Sequence, residues 1–243
     1  MKKRFFYLLT VCICGCMSMF GQTDSAKVLR PLKASAEDYI KLLNRNGYEA
    51  FTFDISSLTD GLYNITFKIK EYKDGQKIKD DIWGGYATLR NMTLLSEFPE
   101  DDQKNVKPED MADPDRGIYA MGKKIMIGFT PIVNDSIQPI WIEVENMGSG
   151  GNQLQMLPQY VNNDRINSNR SFQYYARPFK TGEIATGKFL PLVLLGSVWY
   201  DKDAGVFRFC GEKEINPDMS SQILRYIPHY YVIGIEVNPK KIL

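Results

Sequence analysis

The chain has 243 residues, of which 44% are apolar and 24% are charged, and these fractions are those of an ordinary soluble globular protein. A chain of this length has room for one large β domain or two small ones. Its 30 basic residues stand against 29 acidic ones, so no basic field argues for a nucleic-acid partner.

Residues 1–21 have the pattern of a secretory signal peptide. Basic residues at 2–4 precede a short apolar run at 5–13, and Gly21 is a small residue before the expected cut. The apolar run is too short to span a membrane. The stretch around Cys16 also resembles a bacterial lipobox, in which this cysteine would carry the lipid. We favour cleavage after Gly21, and either route exports the protein to the periplasm, the outer membrane or the exterior.

Cleavage changes the charge balance of the chain. Removing three basic residues and no acidic one leaves 27 against 29, so the mature net charge is about −2. Residues 22–34 then read as a tether. Ser35 has the features of a helix N-cap with Asp38 three residues on, and Gly47 follows the expected end. We expect this helix to pack across the following strands through Tyr39, Ile40 and Leu43.

Phe51–Tyr72 has the clearest pattern in the chain. Apolar residues alternate with polar ones from Phe51 to Ile55 and again from Tyr63 to Ile69, on either side of a turn at Asp60 and Gly61. Alternation of this kind predicts an antiparallel ribbon with one apolar face and one polar face. The charged stretch Lys77–Trp83 predicts an edge strand that is protected from pairing with other chains.

The rest of the chain predicts more strands and one more helix. Phe189–Tyr200 is apolar almost throughout, as expected of a central strand that is covered on both faces. Asn216 followed by Pro217 predicts a helix that ends near Ile227, before Pro228. Further strands are predicted at Tyr86–Phe98 (where a helix is the alternative), Lys123–Thr130, Ile137–Glu145, Gln153–Tyr160, Ser171–Phe179, Val206–Cys210 and through Tyr231, Ile233, Ile235 and Val237.

These elements predict a mainly antiparallel β-sandwich with two short helices, in a single domain over residues 35–243. Residues 99–117 hold three prolines and are predicted to be an exposed loop. The alternative is an α+β chain of two small β domains with their boundary in that loop.

No catalytic residue, metal site or cofactor is predicted. His229 is the single histidine, so we expect a hydrogen-bonded residue near the rim of the core. Cys210 is expected to be a small buried or edge thiol. Asp201–Gly205 resembles the start of a calcium loop, and Asp110, Asp113 and Asp115 could gather a cation, but a hairpin turn and a solvated loop explain them as well. Two carboxylates in a cleft would suffice for a glycosidase, which leaves that alternative open.

The candidate ligand site is on the strand Ile137–Glu145. Alternation places Trp141, Glu143 and Glu145 on the polar face of this strand. An indole beside two carboxylates could stack on a sugar ring and accept hydrogen bonds from its hydroxyl groups. Coverage of this face by a second layer is the alternative.

The end of the signal segment, Phe20-Gly21-Gln22, and the run from Asp54-Ile55-Ser56 to Asp60-Gly61-Leu62-Tyr63 resemble secreted proteins of Bacteroides-type gut bacteria. Within that group the chain is similar to uncharacterised families of about this length, over its first third. The resemblance implies an exported protein and carries no catalytic residue across.

The leading functional hypothesis is a secreted or envelope-associated protein that binds a glycan or a protein partner without catalysis. One rival is a secreted glycoside hydrolase that uses two carboxylates, and the other is an assembly component that uses an exposed strand edge. No transmembrane span is expected in the mature chain, and the oligomeric state is left open.

Overall fold

The computed structural model describes residues 33–58, 60–83, 87–158, 160–161, 164–165, 173–180 and 182–240. The expected signal peptide, Cys16 and residues 22–32 of the expected tether lie outside these ranges. The chain divides into two compact units, Met1–Tyr39 and Ile40–Leu243. None of the described helices is long and apolar enough to cross a membrane.

The described residues form two α-helices, three 3₁₀ helices and sixteen strands. The helices are α1 (Ala36–Arg45) and α2 (Glu100–Gln103), with 3₁₀ turns at Leu95–Glu97, Pro108–Asp110 and Gln222–Arg225. The strands are β1 (Glu49–Asp54), β2 (Tyr63–Lys73), β3 (Gln76–Lys79), β4 (Thr88–Arg90), β5 (Met92–Leu94), β6 (Ile118–Met121), β7 (Lys124–Phe129), β8 (Ile137–Val144), β9 (Gly148–Gln155), β10 (Tyr160–Val161), β11 (Asp164–Arg165), β12 (Tyr174–Pro178), β13 (Phe189–Ser197), β14 (Trp199–Asp201), β15 (Val206–Arg208) and β16 (His229–Pro239).

Two antiparallel sheets face each other. The four-stranded sheet has the order β1-β7-β8-β9, and the larger sheet has the order β12-β13-β16-β2-β3, with β4 also paired to β2. Inward side chains of both sheets form one cluster, which includes Ile65, Phe67, Ile127, Ile142 and Ile233. The prediction of a mainly antiparallel β-sandwich is confirmed.

The predicted ribbon from Phe51 to Tyr72 is wrong in its pairing, although its faces are right. β1 pairs with β7 and β2 pairs with β16, so the two strands belong to opposite sheets. The chain crosses between the sheets after Asp54 and before Tyr63, where the buried Asn91 side chain donates hydrogen bonds to the carbonyls of Leu58 and Gly61. A link of this length spans the roughly 10 Å between stacked sheets, whereas a hairpin favours a two-residue turn.

The outer face of the larger sheet is covered by residues 211–228. Leu194 and Val232 point outwards from β13 and β16 and are buried against Ile215, Ile223 and Ile227. Val193 and Leu195 of β13 point into the main cluster instead. The prediction that this strand is covered on both faces is therefore confirmed.

The covering segment is not the helix predicted from Asn216 to Ile227. Only Gln222–Arg225 is helical, as a 3₁₀ turn. The Ser221 hydroxyl accepts the Asn216 N–H at 2.8 Å, and the Glu212 carboxylate accepts the N–H groups of Gln222 and Ile223 at 3.2 and 2.9 Å. These side chains occupy backbone donors of the segment, so they compete with α-helical hydrogen bonding.

Helix α1 has the predicted ends but not the predicted packing. Ser35 and Asp38 exchange the hydrogen bonds of a cap, and Gly47 ends the helix in a left-handed conformation. Ile40 and Leu43 are exposed, so the expected packing across the ribbon is wrong for them. The apolar faces of β1 and β2 already pack into the core between the sheets, which leaves no open apolar face there.

Several smaller predictions are also corrected. The expected strand Gln153–Tyr160 begins earlier, at Gly148, because residues 145–147 make the turn after β8. Residues 99–117 contain α2 and a 3₁₀ turn rather than a plain loop. The charged stretch after Gly75 does form an edge strand, β3, at one end of the larger sheet.

Candidate functional site

Trp141 lies on the outer face of the four-stranded sheet between two glycines. In the strand pairing it stands opposite Gly128 of β7 and Gly151 of β9. Its Cε3 atom is 3.7 Å from the place that a Cβ on residue 151 would occupy, so the indole lies over the Gly151 backbone. Trp141 is 43% exposed. No side chain of either glycine competes for the space beside the ring, which leaves the indole open to a ligand.

The two acids predicted beside Trp141 differ in their surroundings. Glu143 is half-buried and stands opposite Met126 and Ser149 on the same outer face. Glu145 follows the end of β8, where its carboxylate accepts the Lys123 N–H at 3.3 Å and lies 3.8 Å from Lys124 Nζ. Glu143 is therefore the better placed acceptor for a ligand on the indole.

A buried polar network lies at one end of the core and contains the single histidine. His229 is 2% exposed, with Nε2 at 2.9 Å from Glu71 Oε1 and Nδ1 at 2.6 Å from Tyr174 Oη. The prediction of a hydrogen-bonded histidine in the core is confirmed. Because a carboxylate only accepts, Nε2 carries the proton and Nδ1 accepts from the Tyr174 hydroxyl.

The same network joins the two sheets. The Leu157 N–H, just after β9, donates to Tyr174 Oη at 2.9 Å, and the Tyr231 hydroxyl donates to the Gln155 carbonyl at 2.6 Å. Every nitrogen of the His229 ring is occupied within the protein, so the ring is placed to hold structure rather than to transfer a proton.

Burial sets the charge states in this network. Burial lowers the pKa of His229 more than Glu71 raises it, so the ring is neutral at pH 7. For Glu71, burial acts to raise the pKa, but hydrogen bonds from His229 and the nearby Lys79 ammonium bring it below its usual value. Burial also raises the pKa of the Tyr174 and Tyr231 hydroxyls.

Glu71 was missed by the sequence reasoning, although a signal for it exists. Within β2 it has the same parity as Ile65, Phe67 and Ile69, which all point into the core. A carboxylate at the end of such an apolar row needs buried partners. On the neighbouring strand β16, His229 ends the inward row of Tyr231 and Ile233, one step beyond the Tyr231 that stands opposite Glu71.

Two cavities bear on the hydrolase hypothesis. One, of about 640 Å³, is lined by three acids, Asp54, Asp60 and Glu183, but hydrogen bonds from Ser56 lower the pKa of Asp54, the opposite of what a general acid needs. The other, of about 710 Å³, has Glu49 as the one carboxylate among its described lining residues. Partial desolvation raises the pKa of the Glu49 carboxyl, with Arg177 opposing it, although the residue as a whole is exposed. In the first cavity Asp54 thus has a lowered pKa, and in the second the raised pKa of Glu49 has no second acid beside it among the described lining residues.

The carboxylates considered for a metal ion are engaged in turns or lie apart. Asp201 accepts the N–H groups of Asp203 and Ala204 and pairs with Arg208 at 2.5 Å, as the hairpin alternative requires. Within the described ranges, no group of three or more histidine, cysteine, aspartate or glutamate side chains is arranged to hold a metal. Asp110, Asp113 and Asp115 therefore do not form such a group. Cys210 is an exposed thiol just past β15.

The comparison with family models decides what the chain belongs to. The model described as a domain of unknown function, DUF5041, matches residues 18–239. The chain is a member of the DUF5041 family. No curated protein and no solved structure matches it.

Membership of DUF5041 agrees with the uncharacterised family that the resemblance implied. A bacterial source of the Bacteroides type and a place in the envelope stay predictions for this DUF5041 chain. Its candidate site is therefore argued from the geometry of the described residues alone.

Proposed function

We propose that this DUF5041 protein is an exported, non-enzymatic binding protein that holds a glycan on the outer face of its four-stranded sheet. The observation that carries the proposal is Trp141, a large aromatic side chain left open over a glycine on the outer face of the sheet. A single exposed aromatic residue is common on soluble proteins. Trp141 differs because a glycine stands opposite it on each neighbouring strand, so that no side chain lies there beside the ring.

The chemistry of the face suits a sugar. The C–H groups of a pyranose ring pack against an indole, while its hydroxyl groups need acceptors and donors at the rim of the ring. Glu143 is two residues along β8 on the same face, about 7 Å away. The side chains of Ser149 and Gln153 on β9 have the same outward parity and add polar groups on the other side.

The two cavities with carboxylates give the hydrolase alternative less support. A glycosidase of either stereochemistry keeps one carboxyl protonated near neutral pH beside a second carboxylate. Asp54 has its pKa lowered, and the Glu49 cavity offers no second acid among its described lining residues. Binding of a sugar to the exposed indole of Trp141 requires no such pair of carboxylates.

A glycan array tests the platform directly. The wild type, Trp141→Ala and Tyr48→Ala are compared on one array of neutral oligosaccharides. Tyr48 is the matched control because it is an aromatic residue that is also 43% exposed. We expect the wild type and Tyr48→Ala to bind the same oligosaccharides, and Trp141→Ala to lose about tenfold or more in affinity, in line with a lost aromatic contact of roughly 1–2 kcal/mol.

A Trp141→Phe variant sharpens the test, since it keeps a smaller aromatic surface at the same place. It should bind with an affinity between those of the wild type and Trp141→Ala. Equal binding by the wild type and Trp141→Ala would sink the platform.

The edge of β9 supports a second candidate, self-assembly by strand pairing. β9 is the last strand of its sheet, has eight residues and carries no charged side chain. No described strand pairs with its outer edge. The edge strand β3 of the larger sheet, by contrast, is charged and carries Lys77 and Lys79. Natural edge strands are usually protected by charge, so an uncharged edge is suited to a second copy of the chain.

Light scattering on a size-exclusion column tests this candidate. The wild type should be a dimer, and Gln153→Lys on β9 should be a monomer, while Gln76→Lys on the already charged β3 changes nothing. A monomeric wild type at high concentration would remove the assembly candidate and leave the glycan proposal untouched.

A further inference from the structure

A third cavity, of about 640 Å³, has basic and aromatic walls. Its described lining includes Lys73, Lys202 and Arg225 against a single carboxylate, Asp74. Three cations minus one anion leave a local charge of +2, in a chain whose whole formal charge is +1. The cavity is therefore a local positive centre on a nearly neutral protein.

The three cations have no carboxylate partner among the described residues. Elsewhere on the protein, lysines and arginines pair with acids, as Lys68 does with Glu236 at 2.6 Å and Lys240 does with Glu97 at 2.6 Å. Among the described residues, no acid lies within salt-bridge distance of the Lys73, Lys202 or Arg225 side chains, and all three residues are exposed. Unpaired like charges around one cavity repel each other, and an anionic ligand would relieve that repulsion.

Each cation sits beside a backbone that is held in place. Lys73 ends β2 before a tight turn, where the Asp74 N–H donates to the Pro228 carbonyl at 2.7 Å. Lys202 lies in the β14–β15 turn, which the Asp201 carboxylate fastens through two backbone N–H groups. The three basic side chains thus come from different parts of the chain. Because the backbone beside Lys73 and Lys202 is already held by hydrogen bonds, a ligand does not have to order these turns when it binds.

Arg225 lies at the end of the 3₁₀ turn Gln222–Arg225, whose Ile223 and Leu224 are buried. The next residue, Tyr226, is 61% exposed and stacks on Trp199 with ring centroids 6.0 Å apart and planes 25° apart. Because the two rings cover each other, they leave no slot between them for a flat base. They present an outer aromatic face beside the cations instead.

We propose that this cavity binds an acidic carbohydrate, with the sugar ring against Tyr226 and its carboxylate or sulfate group on Arg225 and Lys202. The volume fits this class, because ligand cavities run from about 300 to 1,000 Å³ and 640 Å³ holds a short oligosaccharide. The arginine fork suits the planar geometry of a carboxylate and also binds sulfate oxygens. The site is built from other elements than the Trp141 face and does not rest on the proposal made for that face.

Isothermal titration calorimetry with four defined probes tests the proposal. The probes are trigalacturonate, a sulfated galactose disaccharide, the uncharged galactotriose and AMP. The proteins are the wild type, Arg225→Gln, Lys202→Gln and Tyr226→Ala, with Arg45→Gln as the control and Trp141→Ala as the variant that reports on the other face. Arg45→Gln removes the same charge from an exposed arginine that lines a different cavity.

We expect the wild type to bind trigalacturonate or the sulfated disaccharide at least about tenfold more tightly than galactotriose, and the better of the two names the anion. Arg225→Gln, Lys202→Gln and Tyr226→Ala should each weaken this binding about tenfold, while the control Arg45→Gln keeps it. Raising NaCl from about 50 to about 500 mM should weaken it as well.

The variants are expected to fold, since the side chains of Arg225 and Lys202 make no hydrogen bond to any described residue, and melting curves check this directly. Absence of binding by both acidic probes would overturn the proposal, and so would binding that Arg225→Gln and Lys202→Gln leave unchanged. Tighter binding of AMP than of either acidic sugar would overturn the sugar assignment. Loss of binding in Trp141→Ala alone would move the acidic ligand to the other face and reject this cavity.

Discussion

The two sheets present opposite outer faces, one covered and one open. On the larger sheet, Leu194, Tyr230 and Val232 point outwards and are buried under residues 211–228. On the four-stranded sheet, Met126, Trp141 and Glu143 occupy the corresponding outward rows, and Trp141 is exposed. The same antiparallel geometry therefore produces two different surfaces.

The difference lies in the outward side chains. Burial of each Leu, Ile or Val side chain stabilises the folded state by roughly 1.5–3 kcal/mol. A row of such side chains therefore favours a segment that folds across it and covers it. Glycine, serine and glutamine in the outward positions of β9 offer no such gain. Trp141 is thus an exposed aromatic side chain on a face that folding leaves open, and this exposure is the ground for proposing a ligand there.

The covered face should carry much more of the stability. Leu194→Ala removes a fully buried side chain between β13 and the covering segment, and it should lower the free energy of unfolding by about 2–5 kcal/mol. Met126→Ala on the open face should cost less than about 1 kcal/mol. Urea unfolding followed by circular dichroism measures both, and equal losses would mean that the open face is covered in solution.

The buried network of His229 and Glu71 between the two sheets should contribute less to the stability of the fold in mild acid. His229 has its pKa lowered in the folded protein, so the unfolded state binds more protons once the pH falls below about 6.5. The free energy of unfolding should therefore be highest above that pH and fall from pH 7 to pH 5. Glu71, whose pKa is also lowered, adds its own loss only in more acidic solution, below its usual value of 4.5.

The control is His229→Gln, which keeps a donor for Glu71 without a titrating ring. Since His229 is the single histidine of the chain, this variant should have a flatter dependence on pH between 7 and 5. The same slope in the wild type and in His229→Gln would show that the ring is not the group that titrates. Lys73 and Asp74 are the other charges that act on it.

The alternation of apolar and polar residues was enough to predict which side chains of a strand point into the core, but not which strands pair. Ile65, Phe67 and Ile69 point inwards as their alternation requires. Whether β1 pairs with β2 or with β7 depends on the link 55–62, and Asn91, which clamps that link, is about thirty residues away. Alternation says nothing about such a distant contact.

Local signals also failed where tertiary contacts replaced them. Asn216 and Pro217 are good helix-starting residues, yet Ser221 and Glu212 take the backbone donors of that segment. The basic cavity could not be predicted either, because Lys73, Lys202 and Arg225 come from three separate parts of the chain. The candidate at Trp141 was accessible to sequence reasoning because a single strand and its parity define it.

The smallest expected effect is optical. Trp141 is exposed, whereas Trp83 and Trp199, the other two tryptophans, are half-buried. Acrylamide, which is uncharged, should quench Trp141 most strongly, so Trp141→Phe should remove the largest share of the quenchable fluorescence while changing stability by less than about 0.5 kcal/mol. Trp199→Phe is the matched control. If Trp199→Phe removed the larger share, the indole of residue 141 would be covered in solution, and the contrast between the two faces would fail at the residue that matters most for binding.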